Sequence, residues 1–324
     1  MEAYIKSIST YFPTKSYTNE QIEKDFPEWK GEQIVKKIGI KNRFISDDNE
    51  TSSGMATRAI MTLIDENNID KHSIDFLLVC TQSPDYNLPT TACIVQDNCG
   101  LPITCGALDF NQGCSGYIYG LSLAKGLIAA KVAKNVILVT SETYTKYIHK
   151  KDKGNRSIFG DAATATLIST EGILKIEDFV LGSDGSGAEN LIVKNGGSKN
   201  KTTIDTNEPS ENNLFMDGPV IFNFTSKMVP PLIDSVLEKN SLELFDVDQF
   251  IFHQANTFML NYLRKKIKID QDKFVIDMEN YGNTVSSTIP IVLKNLMNTN
   301  SLKNNVVLAG FGVGYSWGAV YLHK

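Results

Sequence analysis

Asp109-Phe110-Asn111-Gln112-Gly113-Cys114-Ser115-Gly116 runs directly into the apolar stretch Tyr117 to Ala130. Residues 105–111 read as a buried strand that ends in a tight glycine turn. The residues after Cys114 have helical spacing, with Ile118, Leu121, Leu123, Leu127 and Ile128 separated by Ala and Gly. Cys114 therefore falls where a strand ends and an interior helix begins. Free backbone N–H groups and the positive end of the helix dipole favour negative charge at such a place. A thiol held there is expected to be partly thiolate near neutral pH, and the thiolate is the nucleophile. Gly113, Ser115 and Gly116 leave room for a substrate carbonyl. A buried apolar cysteine is the competing reading, and this stretch alone leaves the two level.

Composition narrows the function classes. The chain has 324 residues, 42% hydrophobic and 21% charged, enough for two domains or one double-sized one. A net charge of −5 and a pI of about 5.5 argue against a nucleic-acid protein. No apolar run approaches the ~20 residues needed to cross a bilayer. The N-terminal Met1-Glu2-Ala3-Tyr4-Ile5-Lys6 reads as a strand start, not a signal peptide, so a soluble cytoplasmic protein is expected. Cys80, Cys93, Cys99, Cys105 and Cys114 are an odd set without C-x-x-C, and none of His72, His149, His253 and His323 has metal-ligand spacing to them. That excludes a disulfide framework and a zinc site as first readings, and implies no metal. The four other cysteines read as small core residues in a reducing compartment.

Working outward, the sequence repeats itself. Leu63 to Asn67 leads through Asp75 into an apolar strand, and at an offset of 173 Val236 to Asn240 leads through Asp248 into another. The Cys114 strand is matched at an offset of 169 by Phe274 to Asn283, and Asn135 to Val139 at an offset of 170 by Asn305 to Ala309. Near-constant offsets with the same segment types in the same order indicate a duplicated α/β fold. The halves are drawn as residues 1–170 and 171–324, with a polar surface excursion near 184–213. The duplication puts Cys114 and Asn283 at equivalent strand ends, and His253 at the position equivalent to Cys80. Ligands gather at the carboxyl ends of strands in α/β sheets, so these three groups are expected in one pocket.

These residues resemble the type III β-ketoacyl-acyl-carrier-protein synthases of the thiolase superfamily, and the likeness runs through nearly the whole chain. Asp109 to Gly116 is similar to that family's D-x-x-x-x-C-x-G nucleophile segment. His253-Gln254-Ala255-Asn256 resembles its H-Q-A-N, Tyr281-Gly282-Asn283-Thr284 its G-N-T, and Gly310 to Gly318 its glycine-rich closing loop. Lys37 to Arg43 is similar to its T-G-I-x-x-R segment. The resemblance implies a layered α-β-α-β-α thiolase-like fold and a Cys-His-Asn triad. Cys114 would be acylated by a thioester, with the backbone N–H groups of Cys114 and Gly314 as oxyanion hole. His253 and Asn283 would stabilise the enolate left when a malonyl thioester loses CO2, and a 3-oxoacyl thioester would result. It further implies acyl-carrier protein or coenzyme A thioesters as partners, no cofactor beyond these substrates, and a homodimer.

The chain departs from that pattern where the substrate's phosphates and adenine would bind. Gln33 stands where a Trp is expected, with Trp29 four residues earlier; Phe258 stands for an Arg, Asn223 for a Lys, and Asp152-Lys153 for D-R. Lys36, Lys37, Lys41 and Arg43 read as a basic cluster. Leu88, in the loop that in the family caps a partner's acyl tunnel, stands where short-chain enzymes carry Phe, leaving room for a longer or bulkier acyl group. Leu88, Lys37, Lys153 and Phe258 are therefore the substrate-binding positions by resemblance, in fatty-acid or specialised acyl biosynthesis. Acyl transfer from Cys114 to an oxygen or nitrogen acceptor without condensation is the alternative, and a non-catalytic binding protein a more distant one.

Overall fold

The computed structural model describes residues 1–201 and 208–324. In the first half the chain runs through β1 (Tyr4–Tyr11), β2 (Ser16–Thr18), α1 (Asn19–Asp25), α2 (Gly31–Ile38), β3 (Asn42–Phe44), α3 (Ser52–Asn67), β4 (Phe76–Cys80), α4 (Thr91–Asn98), β5 (Gly106–Phe110), α5 (Gly116–Ala129), β6 (Asn135–Glu142), α6 (Lys153–Ile158) and β7 (Ala162–Ser169). The second half adds β8 (Leu174–Ser183), β9 (Leu191–Ile192), β10 (Phe215–Met216), α7 (Gly218–Lys239), β11 (Gln249–Phe252), α8 (Thr257–Ile267), β12 (Phe274–Val275), α9 (Thr288–Asn298), β13 (Asn305–Gly312) and β14 (Ser316–His323).

Ten strands pair in the order β12-β11-β13-β14-β8-β1-β7-β6-β4-β5. Read from the central β8–β1 pair outward, each side has two antiparallel pairings and then two parallel ones. This is the mirrored topology of a duplicated unit, and within the sheet the two halves pair through Tyr4 and Ile5 against Lys175 and Leu174. The helices α5 and α9 lie between the two halves of the sheet, packed on strands of both. That explains why α5 is mostly apolar or small, with Lys125 its one charged residue: it meets strands of both halves. The helices α3 and α4 cover one outer face and α7 and α8 the other, completing five layers.

Local sequence explains the elements that position the site. Thr18 and Gln21 form a capping box at the start of α1, with Thr18 N–H donating to Gln21 Oε1 at 2.9 Å. The helix α2 stops at Gly39, whose φ of +75° is left-handed. A Cβ there would fall 1.7 Å from Thr257 Oγ1, so glycine lets α2 and its lysines pack against the start of α8. Asp109 accepts from the N–H groups of Thr91 (2.5 Å) and Ala92 (2.6 Å), and so caps α4 from the adjacent strand.

The structure corrects four expectations. The strand β5 is not buried: it is the last strand of the sheet, and Leu108 at its centre is 44% exposed. Arg43 does not belong to a surface basic cluster. It is wholly buried, its guanidinium donating to Ser157 O and Asn19 Oδ1, and burial lowers its pKa to about 9. Among the other cysteines, Cys80, Cys99 and Cys105 are buried, but Cys93 is exposed. The excursion at 184–213 is not merely surface. Residues 202–207 lie outside the described residues, yet Leu191 is buried and, with Ile192, Val193 and Asn195, walls a cavity.

Candidate active site

Cys114 lies in the turn between β5 and α5, and its neighbours show why that turn carries glycine. A Cβ on Gly113 would lie 2.4 Å from Val313 Cγ1 and 2.6 Å from Gln82 Oε1. A Cβ on Gly312 would lie 2.9 Å from Cys114 Sγ, so the closing loop can reach the nucleophile only with its backbone bare. Ser115 Oγ and Ser316 Oγ are 2.6 Å apart and tie the two loops together.

His253 follows β11, buried, with Nδ1 2.8 Å from Thr288 Oγ1 at the start of α9. Burial lowers its pKa to about 3, so the imidazole is neutral at physiological pH. Its ring stands edge-on to Phe311, with centroids 5.9 Å apart. Asn283 is held at both backbone groups: its N–H donates to Ile158 O (2.9 Å) and its carbonyl accepts from Gly160 N (3.0 Å). Its side-chain Oδ1 accepts from Val285 N–H at 2.9 Å. With that oxygen engaged, the amide NH2 is the end left to face the cavity.

Cys114, His253 and Asn283 together line one cavity of about 130 Å3, with Phe159, Met216, Met259 and Phe311 as apolar walls. The three strand-end groups thus converge. The arrangement offers a thiol, a neutral imidazole and an amide donor in a largely apolar, water-poor setting, where each hydrogen bond is stronger than in water.

One expectation about the nucleophile changes. Burial raises the Cys114 pKa to about 12, against the smaller lowering from the N–H groups of Val313 and of Cys114 itself. The resting residue is therefore a thiol, because desolvation outweighs the helix end. Besides the cysteine's own N–H, the backbone donor directed at the sulfur is that of Val313, in the closing loop. With a pKa that high, the thiolate fraction climbs about tenfold per pH unit throughout the neutral range. Alkylation of Cys114 by iodoacetamide, followed by peptide mapping to separate it from exposed Cys93, is expected to rise steadily from about pH 6 to pH 9. A plateau near pH 8 would contradict this.

The remaining positions fall in three places. Lys37 and Phe258 line a neighbouring cavity of about 980 Å3 with Lys36, Tyr262 and Lys265, and Asn256 is shared with the Cys114 cavity. Phe258 packs on Phe222, centroids 5.6 Å apart. Lys153 sits elsewhere, its Nζ 5.6 Å from the Trp29 ring centroid and 3.1 Å from Glu28 Oε1. Leu88 is 82% exposed at a loop tip and lines none of these cavities. Asp85 in the same loop accepts from Ser53 N–H (3.0 Å) and Ser53 Oγ, tying the loop to the start of α3.

Sequence reasoning missed Glu142, Gln82 and Tyr144. Glu142 is fully buried at the end of β6, accepting from Gln82 N–H (3.0 Å) and Ser83 Oγ (2.8 Å), and burial raises its pKa to about 8. A carboxylate closing the apolar run Asn135 to Thr140 was the available signal. Among the described residues, no group of His, Cys, Asp or Glu is placed to hold a metal, and no helix is long and apolar enough to cross a membrane.

A thiolase fold with a cysteine, a histidine and an asparagine at strand ends in one cavity defines a class of enzyme, and comparison with known proteins gives the family. A model of 3-oxoacyl-[acyl-carrier-protein (ACP)] synthase III matches residues 108–185, and a model of the C-terminal part of such synthases matches residues 237–324. The β-ketoacyl-[acyl-carrier-protein] synthase III of Clostridium perfringens is 36% identical over 315 residues, 96% of each chain. A crystal structure of a 3-oxoacyl-(acyl-carrier-protein) synthase III superposes with a TM-score of 0.97 at 41% identity, covering 100% of both chains. A 3-oxoacyl-(acyl-carrier protein) synthase from Burkholderia xenovorans LB400 does so with 0.92 at 34%, over 100% of this chain and 94% of that one. The chain belongs to the 3-oxoacyl-[acyl-carrier-protein] synthase III family.

Proposed function

We propose that this enzyme acylates Cys114 from an acyl thioester and then condenses the acyl group with a malonyl thioester. The observation that carries the reading is the shared cavity of Cys114, His253 and Asn283, with the Asn283 oxygen already engaged. In the first step the Cys114 sulfur bonds to the acyl carbon, the donor's C–S bond breaks, and the donor thiol leaves with the proton. The N–H groups of Cys114 and Val313 stabilise the intermediate oxyanion. In the second step the malonyl C–C bond breaks, CO2 leaves, and the electron pair becomes an enolate. His253 and the Asn283 amide donate to its oxygen. The step requires the imidazole proton on Nε2, the tautomer in which Nδ1 accepts from the Thr288 hydroxyl 2.8 Å away. The carbanion then attacks acyl-Cys114, the 3-oxoacyl thioester departs, and the sulfur regains a proton.

Carrier-borne substrates fit the surface. Lys36, Lys37 and Lys265 surround the cavity beside the catalytic one, offering positive charge to an acidic carrier or to phosphates, and Phe258 and Tyr262 offer an apolar floor. Lys153 against Trp29 supplies a second stacking and charge pair for a nucleotide end. No cofactor other than these substrates enters the reading, and the unpaired cysteines suit the cytoplasm. A homodimer is part of it: the open edge of β5, exposed Leu108 and protruding Leu88 are features a second copy would cover. Sedimentation should then give about twice the 35.9 kDa chain mass, and a monomer would remove that element.

The direct test is product analysis. Acyl and malonyl thioesters together should yield a 3-oxoacyl thioester with one CO2 released per turnover. Transfer of the acyl group to an amine or alcohol without any malonyl thioester would replace this reading with simple acyl transfer.

A further inference from the structure

A further cavity, of about 430 Å3, adjoins the catalytic one and shares no lining residue with the lysine-lined one. Val313, whose N–H faces Cys114 Sγ, lines it, and Leu191 is common to it and the catalytic cavity. An acyl group carried on Cys114 and reaching past Leu191 and Val313 would enter this space. Its wall is unexpectedly polar: Gln82, Asn87, Asn111, Tyr144, Tyr147 and Asn195 all contribute.

Two of those polar groups lack partners among the described residues. Gln82 Oε1 is buried without a hydrogen bond. Its amide nitrogen is used, donating to Asn111 Oδ1 at 3.1 Å, and its backbone carbonyl accepts from the Tyr147 hydroxyl at 3.1 Å. The backbone N–H is held by Glu142, so the side chain is fixed with its oxygen beside Gly113, the residue before the nucleophile. Tyr144 is 4% exposed, packs with Cys114 and Phe159 in one apolar cluster, and its hydroxyl likewise bonds to no described residue. An acceptor and a hydroxyl thus stand unmatched in the cavity that adjoins the nucleophile's own.

A saturated hydrocarbon chain would expel water from this pocket and leave both groups unpaired. A chain bearing a hydroxyl would donate to Gln82 Oε1 and accept from Tyr144 O–H. A site built to bond a hydroxyl discriminates strongly against the analogue without it, because its own polar groups are then stranded. Resting on the condensation reading above, we propose that the primer is a short acyl thioester carrying a hydroxyl on its chain, recognised by Gln82 and Tyr144.

The test uses chain-matched pairs, 3-hydroxybutyryl- against butyryl-coenzyme A and 4-hydroxybutyryl- against butyryl-coenzyme A. The rate of acyl addition to Cys114 is read by intact-protein mass. At least one hydroxylated donor should react roughly tenfold faster or more than butyryl. Gln82→Leu and Tyr144→Phe should each lower that ratio by about tenfold, by slowing the hydroxyacyl donor and speeding the butyryl one. A variant that merely disturbed the fold would slow all donors together and leave the ratio unchanged, which would count against the proposal. Equal or faster reaction with butyryl in the wild-type enzyme would overturn the hydroxyl assignment while leaving condensation standing. No acylation by any of the donors would overturn both.

Discussion

Replacement of Cys114 by alanine is expected to abolish acylation and condensation while leaving the decarboxylation of a malonyl thioester intact. The first half follows from the chemistry of the step: among the described residues no other thiol lines the cavity, and Cys80 is buried with its thiol donating to Gln112 O at 3.0 Å. Loss of a nucleophile in this way costs on the order of 10⁴-fold or more. The second half follows from the separation of roles, because the enolate is served by His253 and Asn283 and not by the thiol. Cys114 is a small side chain among glycines and Val313, so the variant should keep the wild-type thermal midpoint within a few degrees. Intact mass and CO2 release check the two halves separately. An acyl adduct that persists in Cys114→Ala would point to another residue, exposed Cys93 first, and would remove the nucleophile from this account.

The second large effect is expected at Asn283. Removing one preorganised oxyanion donor costs roughly 100- to 1000-fold. Asn283→Asp isolates that term better than alanine does. The aspartate keeps an oxygen for the Val285 N–H, so the turn that presents the side chain survives, while the NH2 is exchanged for a second oxygen that repels the enolate. Malonyl decarboxylation should fall by about 100-fold or more, and acylation of Cys114 by less than about tenfold. His253→Ala should give a similar split. The double variant should lose less than the product of the two singles, since both donors serve one oxygen. Equal losses in acylation and decarboxylation would mean that these residues support the cavity rather than the enolate.

The convergence of Cys114, His253 and Asn283 in one cavity was legible because the duplication marks equivalent strand ends, and strand ends are a matter of sequence position. What lay beyond reach depended on which distant segments meet. Alternation and apolarity mark β5 as a strand, but whether it is central or last in the sheet is decided by pairing order, and its exposure follows from that. Arg43 reads as a surface charge beside Lys41, yet it is buried because Ser157 and Asn19 supply acceptors from separate elements. That the N–H of Val313 is directed at the Cys114 sulfur could not be read in advance, because a backbone N–H acts through loop geometry, independent of side-chain type. The thiol's raised pKa likewise reflects how deeply neighbouring layers cover Cys114, which no local motif records. Gln82 and Tyr144 look like ordinary loop residues until the cavity between them is seen.

The most direct measurement is a sequential one on the intact protein. The enzyme is first exposed to an acyl thioester until one acyl mass is added at Cys114, freed of donor, and then given a malonyl thioester labelled in its free carboxyl group. The account predicts that the acyl mass disappears, one labelled CO2 is released per adduct lost, and a 3-oxoacyl thioester two carbons longer than the primer is formed. An adduct that survives the malonyl thioester, or that leaves only for water, an amine or an alcohol, would contradict it.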